Sequence, residues 1–200
     1  MPVGAEVGAT MARVIVDSLI SLDGYFAGPH DEIDWFVSDE ESLEWSRKIL
    51  RRAGAVLFGR VTYEGMASYW PGTEDADPFV RQRLNELPKI VFSSTLSKPS
   101  WANSVVERDD PSRAVARLKR RPGKALVVLG SSNLVSALAR DGLVDEYRIR
   151  VQPVVLGAGR PLFIDQERRS HLKLVSAEPF KSGVVGLHYE PAEPLPSKAL

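Results

Sequence analysis

Eight apolar, β-branched runs recur along the chain, at residues 13–20, 55–58, 89–93, 104–107, 125–129, 146–151, 172–179 and 184–189. Between the earlier ones lie apolar spacings of helical period, at about 40–52, 62–68, 78–86, 111–121 and 133–141. Strand and helix thus alternate through the first two-thirds of the chain, the pattern of β-α-β crossovers and a largely parallel sheet. After Asp145 the pattern changes. Strands follow without a good helix between them, and the last two are joined by the turn-forming Lys181-Ser182-Gly183, so the C-terminal edge of the sheet is predicted to be antiparallel. One α/β domain accounts for this order, because 200 residues with 44% hydrophobic content build one sizeable core and no repeat or interior linker divides them. The domain is expected over residues 12–190. Residues 1–11, small and Gly/Ala-rich, read as a flexible leader in which Met11 is itself a candidate start, and residues 191–200, with three prolines in the first six, read as a tail outside the fold.

Charge and residue usage narrow the function. The 26 lysines and arginines offset the 26 aspartates and glutamates, so no net field draws the chain to nucleic acid or an anionic membrane, and a small-molecule ligand fits better. Arg113, Arg117, Lys119, Arg120 and Arg121 surround the apolar Val115 and Leu118 in one helical stretch and read as its solvated face. The chain has no cysteine, which removes disulfides, thiol nucleophiles and thiolate metal sites and fits a reducing compartment. His30, His171 and His188 form no ligand-spaced pair, so a metal site is not expected. No run approaches the roughly 18 apolar residues that span a bilayer, and no basic segment leads into an apolar run at the N-terminus. A cytoplasmic protein is expected.

Three strand ends share one design. Val56-Leu-Phe-Gly-Arg-Val-Thr62 stops a strand at Gly59 and opens a helix with Arg60 and Thr62 in its first turn. Gly59 permits close approach to the backbone, the helix start offers unpaired N–H groups, and Arg60 supplies charge for a phosphate. The same residues also make an ordinary βα turn. Ile90-Val-Phe-Ser-Ser-Thr95 runs a buried strand into hydroxyl residues, with Lys98 beyond, a setting for a cofactor 2′-phosphate or for a simple strand terminus. Leu126-Val-Val-Leu-Gly-Ser-Ser-Asn-Leu134 repeats strand, Gly130 and helix, with Ser131, Ser132 or Asn133 as N-cap. In an open α/β sheet the carboxyl ends of the strands line one edge, so the three turns are able to surround a single extended ligand. The first strand is not followed by G-x-G-x-x-G, which disfavours an ordinary Rossmann site. Two further loops carry glycines: Ser21-Leu-Asp-Gly-Tyr25, where Asp23 faces a substrate or bonds its own turn, and Gly157 and Gly159 within residues 152–163.

Taken in order, Ser21-Leu-Asp-Gly-Tyr25, Phe58-Gly-Arg-Val-Thr-Tyr-Glu64, Phe92-Ser-Ser94, Leu129-Gly-Ser-Ser132 and Pro153-Val-Val-Leu-Gly-Ala-Gly-Arg-Pro-Leu-Phe163 resemble the dihydrofolate-reductase-like superfamily. The similarity is to its branch formed by the reductase domain of the bifunctional riboflavin-biosynthesis deaminase-reductase and the stand-alone relatives of that domain. The resemblance implies a central, mostly parallel sheet of about eight strands with an antiparallel C-terminal edge, helices on both faces, and NADPH laid across the strand ends. On that analogy Gly59, Arg60 and Thr62 contact the cofactor phosphates, Ser93 and Ser94 the 2′-phosphate side, and Gly130, Ser131, Ser132 and Leu134 the pyrophosphate and nicotinamide ribose. Asp23 becomes the catalytic candidate, its loop closing over the nicotinamide. Tyr25, Trp35, Gly157 and Gly159 fall on the substrate side, although Trp35 also reads as a core tryptophan. The deaminase half is missing, and without cysteines its zinc site has no ligands. Asp39, Glu40, Glu41 and Glu44 are all available as the helix acid that contacts the pterin in dihydrofolate reductases, and equally as a favourable first turn. The implied activity is hydride transfer from NADPH to a small heterocyclic or carbonyl substrate, such as 5-amino-6-(5-phosphoribosylamino)uracil or a pterin, in a homodimer paired through the C-terminal strands. A non-catalytic NADP-binding or regulatory protein on the same fold is the alternative.

Overall fold

The computed structural model describes residues 11–166 and 169–193. Strands and helices follow as β1 (Val14–Ile20), β2 (Tyr25–Ala27), α1 (Glu40–Arg52), β3 (Ala53–Gly59), α2 (Arg60–Tyr69), α3 (Pro78–Glu86) and β4 (Lys89–Phe92). The chain continues through β5 (Ser104–Glu107), α4 (Pro111–Lys119), β6 (Ala125–Leu129), α5 (Ser132–Arg140), β7 (Glu146–Val151), β8 (Arg160–Pro161), β9 (Leu172–Pro179) and β10 (Val185–Pro191). Eight strands form one sheet in the order β5-β4-β3-β6-β1-β7-β10-β9. Only β10 runs against its neighbours, pairing antiparallel with β7 and β9. This is the mostly parallel α/β sheet with an antiparallel C-terminal edge that the sequence predicts.

A parallel sheet covered on both faces needs strands apolar on both sides. β1 shows how: Val14 and Val16 pack into the core under α4 and α5, Ile15 into the opposite core under α1 and α3, and all three are fully buried. Trp45, Ile49 and Leu50 form the buried stripe of α1. The Trp45 ring occupies the space a side chain would need at residue 186, since a Cβ on Gly186 would lie 2.6 Å from it.

Lys89 opens β4 and is fully buried. Three main-chain carbonyls hold its ammonium, those of Asn85 at 3.0 Å, Leu87 at 2.8 Å and Ala102 at 3.1 Å, with the Trp101 ring 4.4 Å away. Burial pulls its pKa down to about 8.

Two departures from expectation are local. β2 and β8 pair as a separate ribbon that no apolar run announces. Of the predicted leader and tail, 1–10 and 194–200 lie outside the described residues. Met11 bridges Pro122 and Pro191 ends β10 opposite Leu172, so pairing extends one residue beyond each predicted domain limit. Among the described residues no helix is long and apolar enough to cross a membrane.

Candidate active site

The carboxyl ends of β1, β3, β4 and β6 open into a cleft of about 900 Å³, near the upper end of the range of roughly 300–1,000 Å³ usual for small-molecule sites. Its two best-defined corners are the starts of α2 and α5. Gly59 caps α2 and Ser131 caps α5, and neither end has a side-chain hydrogen bond. The other three helices each begin on an aspartate: Asp39 accepts from the Ser42 N–H at 2.7 Å, Asp77 from Val80 at 2.9 Å and Asp110 from Arg113 at 3.0 Å. The starts of α2 and α5 are therefore left with N–H groups and positive dipole available to an anion.

Close packing shapes that rim. Gly130 and Ser131 take consecutive left-handed conformations, φ 72° and 67°. A Cβ on Gly130 would lie 2.6 Å from the Phe26 ring, and one on Gly59 would collide with the Ser131 hydroxyl. Glycine is required at 130 by space and by backbone angle together. Arg60, in the first turn of α2, bonds Glu64 one turn along at 2.8 Å; both are partly exposed, so this pair is weak and exchangeable.

The cleft gathers all nine residues assigned to the cofactor: Gly59, Arg60, Thr62, Ser93, Ser94, Gly130, Ser131, Ser132 and Leu134. Besides Arg60, Ser93 is already engaged, for its hydroxyl accepts from the N–H groups of Thr95 and Leu96. Arg108, unnoticed in the sequence, braces this loop by donating to the carbonyls of Ser93, Ser94 and Leu96.

The five residues assigned to catalysis and substrate do not line the cleft. Asp23 is exposed, and its carboxylate accepts from the Ser21 hydroxyl at 2.6 Å, Gly157 N–H at 2.8 Å and Leu156 N–H at 3.2 Å. These bonds, Ser21's first, hold its pKa below the usual carboxylate value. It clasps two loops together instead of facing a substrate. Gly157 is one end of that clasp, and Gly159 lies against the Ala27 carbonyl where a side chain would not fit. Tyr25 pairs with Pro161 across the β2–β8 ribbon, and its neighbour Phe26 lines the cleft in its place. Trp35 donates to the Glu32 carbonyl at 3.1 Å and stands edge-on to Phe36 at 4.3 Å; here too the neighbour, Phe36, is the lining residue.

Sequence reasoning missed the floor. Asp17 on β1 and Arg150 on β7 both line the cleft while being 5% and 6% exposed. Arg150 Nη2 donates to Asp17 Oδ2 at 3.2 Å, and Nη1 to the Ser42 carbonyl at 3.1 Å and Ser46 Oγ at 2.9 Å. Trp45 Nε1 donates to Asp17 Oδ1 at 3.1 Å. A signal existed: Asp17 interrupts a β-branched run, and Glu146-Tyr-Arg-Ile-Arg-Val-Gln152 alternates polar with apolar in a strand buried on both faces.

A mostly parallel sheet with an antiparallel edge and a ligand-sized cleft across its strand ends is a dihydrofolate-reductase-like fold. Residues 12–186 match the RibD C-terminal domain, and the chain belongs to that family. It is 34% identical to the uncharacterized protein YyaP of Bacillus subtilis over 179 residues, 88% of this chain and 94% of that protein. A crystal structure of a protein provisionally assigned to riboflavin biosynthesis in Shewanella sp. PV-4 superimposes with a TM-score of 0.71 at 20% identity, covering 90% of this chain and 99% of that one. Dihydrofolate reductase from Enterococcus faecalis, complexed with NADP(H) and RAB-propyl, gives 0.63 at 13% identity, covering 92% and 99%. At these identities the structural likenesses establish the shared fold.

Proposed function

We propose that this chain is an NADPH-dependent reductase that passes a hydride to a small heterocyclic or carbonyl compound. The observation that carries the reading is the pair of uncapped helix starts, α2 and α5, converging on one cleft beside Arg60. The fit of a dinucleotide is supported by Gly59 and Gly130, whose missing side chains keep that rim narrow and its backbone approachable. Gly59, Arg60, Thr62, Gly130, Ser131, Ser132 and Leu134 would hold the pyrophosphate and ribose, with Ser93 and Ser94 on the 2′-phosphate side. When bound, the cofactor supplies the hydride. The protein orients both reactants and excludes water between the apolar side chains of Phe26, Phe36, Met66 and Trp70. The two carboxylates that line the cleft, Asp17 and Asp31, are each held by an arginine. In this reading Asp23 keeps the cleft's loops in place.

Calorimetric titration with NADPH and NADH at two salt concentrations tests the proposal. NADPH is expected to bind more tightly, with affinity falling as salt rises because the 2′-phosphate contact is electrostatic. Arg60→Ala is expected to weaken NADPH roughly tenfold, the loss of one charge-assisted contact. No binding of either nucleotide would sink the reading. Binding without NADPH oxidation across carbonyl, pyrimidine and pterin compounds would assign the chain to the non-catalytic alternative. The reading includes a homodimer paired through the C-terminal strands, where the edge strand β9 exposes Leu172, Leu174 and Val175; sedimentation at a single monomer mass would remove that part.

A further inference from the structure

The two edges of the sheet are built differently. β5 closes one side with four residues and ends on Glu107, which Arg117 bonds at 3.0 Å. β9 closes the other side with eight residues, of which all but Ser176 are exposed. A short, charged edge is one way a sheet avoids pairing with another chain, whereas a long one presents a row of main-chain N–H and C=O groups to a partner. Leu172, Leu174 and Val175 add apolar side chains to this edge, 40%, 49% and 48% exposed.

The faces of β9 follow from its pairing with β10, because cross-strand partners share a face. Gly186 lies under Trp45 of α1, whereas Leu187 and Tyr189 pack into the core beneath α4 and α5. Lys173, Ser176 and Glu178, opposite Glu190, His188 and Gly186, therefore fall on the α1 side. Leu172, Leu174, Ala177 and Pro179 fall on the α5 side. Lys173 and Glu178 are five residues apart, an odd spacing that in a regular strand points two side chains to opposite faces. They share a face because a bulge inserts Val175: His188 pairs with Ser176, and the next residue, Tyr189, pairs with Leu174.

We propose that β9 is the seam of a two-fold dimer, pairing antiparallel with its own copy in the register that sets Lys173 against the partner's Glu178. This rests on the homodimer included in the reading above and specifies how its two copies meet. In that register Lys173 meets the partner's Glu178 on the α1 side, while Leu174 meets the partner's Ala177 and Leu172 the partner's Pro179 on the α5 side. Val175 and Ser176 fall at the axis. The contact is isologous, so each match occurs twice, and it joins two eight-stranded sheets into one. A slip of one residue either way would set Lys173 against the partner's Ala177 or Pro179, whose side chains lie on the other face.

Sedimentation equilibrium of the full chain over a range of protein concentrations tests the seam. The parent is expected as a dimer. Lys173→Glu and Glu178→Lys each oppose like charges at both matches, and each should raise the dissociation constant at least about tenfold. An equimolar mixture of the two variants should regain the affinity of the parent, because the mixed dimer again opposes unlike charges, and so should the double variant. Mixing does not rescue a misfolded chain, so regained affinity separates a broken seam from a broken fold. Variants that dimerise as tightly as the parent, or whose mixture stays as weak as either alone, overturn the seam while the homodimer stands. A parent that sediments as a monomer removes the homodimer from the reading, and the seam with it.

Discussion

α1, α3 and α4 begin on aspartates whose carboxylates close the first turn, whereas α2 and α5 begin on Gly59 and Ser131 and stay open. An aspartate cap contributes about 1 kcal/mol, and a non-glycine residue in the left-handed region costs roughly 1–2 kcal/mol, so the start of α5 forgoes one and bears the other. Local stability is given up at the starts of α2 and α5, where glycine and serine line the cleft, and kept at the three that an aspartate closes. β7 repeats the contrast along its length. At its first residue the Glu146 carboxylate is bonded by Arg52 and Arg148, with Arg13 3.4 Å away. At its far end Arg150 Nε and, just beyond the strand, Gln152 Nε2 have no partner.

The largest effect expected from breaking this contrast is at the saturated end. Burial pushes the Glu146 carboxyl up, but the hydrogen bonds and charge of Arg52, with Arg13 and Arg148, outweigh it and hold the pKa down at about 2, against an ordinary 4.5. A depressed carboxylate stabilises the fold fully above its unfolded pKa and loses that contribution as the pH falls from about 4.5 toward 2. Glu146→Gln should therefore remove on the order of 3 kcal/mol at neutral pH, flatten the acid limb of the melting curve, and leave NADPH affinity alone. An acid limb as steep as that of the parent would show that Glu146 is not what holds this end together.

Next in size is Gly130→Val, which puts a branched side chain into the Phe26 ring at a backbone angle suited to glycine. NADPH affinity is expected to fall about a hundredfold, or nearly 3 kcal/mol, and retained affinity would mean that the open start of α5 is not the anion site. The smallest is Asp39→Ala at a closed helix start. It should lower stability by about 1 kcal/mol in a chemical melt without changing NADPH titration, and a large fall in affinity would erase the distinction between the two kinds of helix start.

Long-period features were legible in the sequence because each rests on many residues. The apolar runs placed β5, β6, β7 and β9 to the residue, and the spacings of helical period placed α1 and α3 equally well. The two strand-to-helix turns, at Gly59 and Gly130, were found because glycine followed by a helix start is a local device. What escaped was phase and pairing. Tyr25 and Trp35 are aromatic residues in suitable loops, yet the backbone turns Phe26 and Phe36 inward, and single sequences do not fix which of two adjacent rings faces a cavity. For Asp23 the sequence offers a substrate contact or a bond within its own turn; the local bond from Ser21 is there, but Leu156 and Gly157, its other partners, are more than a hundred residues away. Asp17 and Arg150 stayed hidden for the same reason: each looks anomalous in its own strand, and only the β1–β7 register, which pairs Asp17 with Arg148 and Leu19 with Arg150, brings them diagonally together on one face.

The setting of Lys89 also gives the protein a chemical clock. Its amine is enclosed by three carbonyls and an indole ring, so an acylating reagent reaches it only when the α3–β4 corner comes apart. Its labelling rate, followed beside that of exposed lysines in one sample, would read the opening frequency of that corner directly.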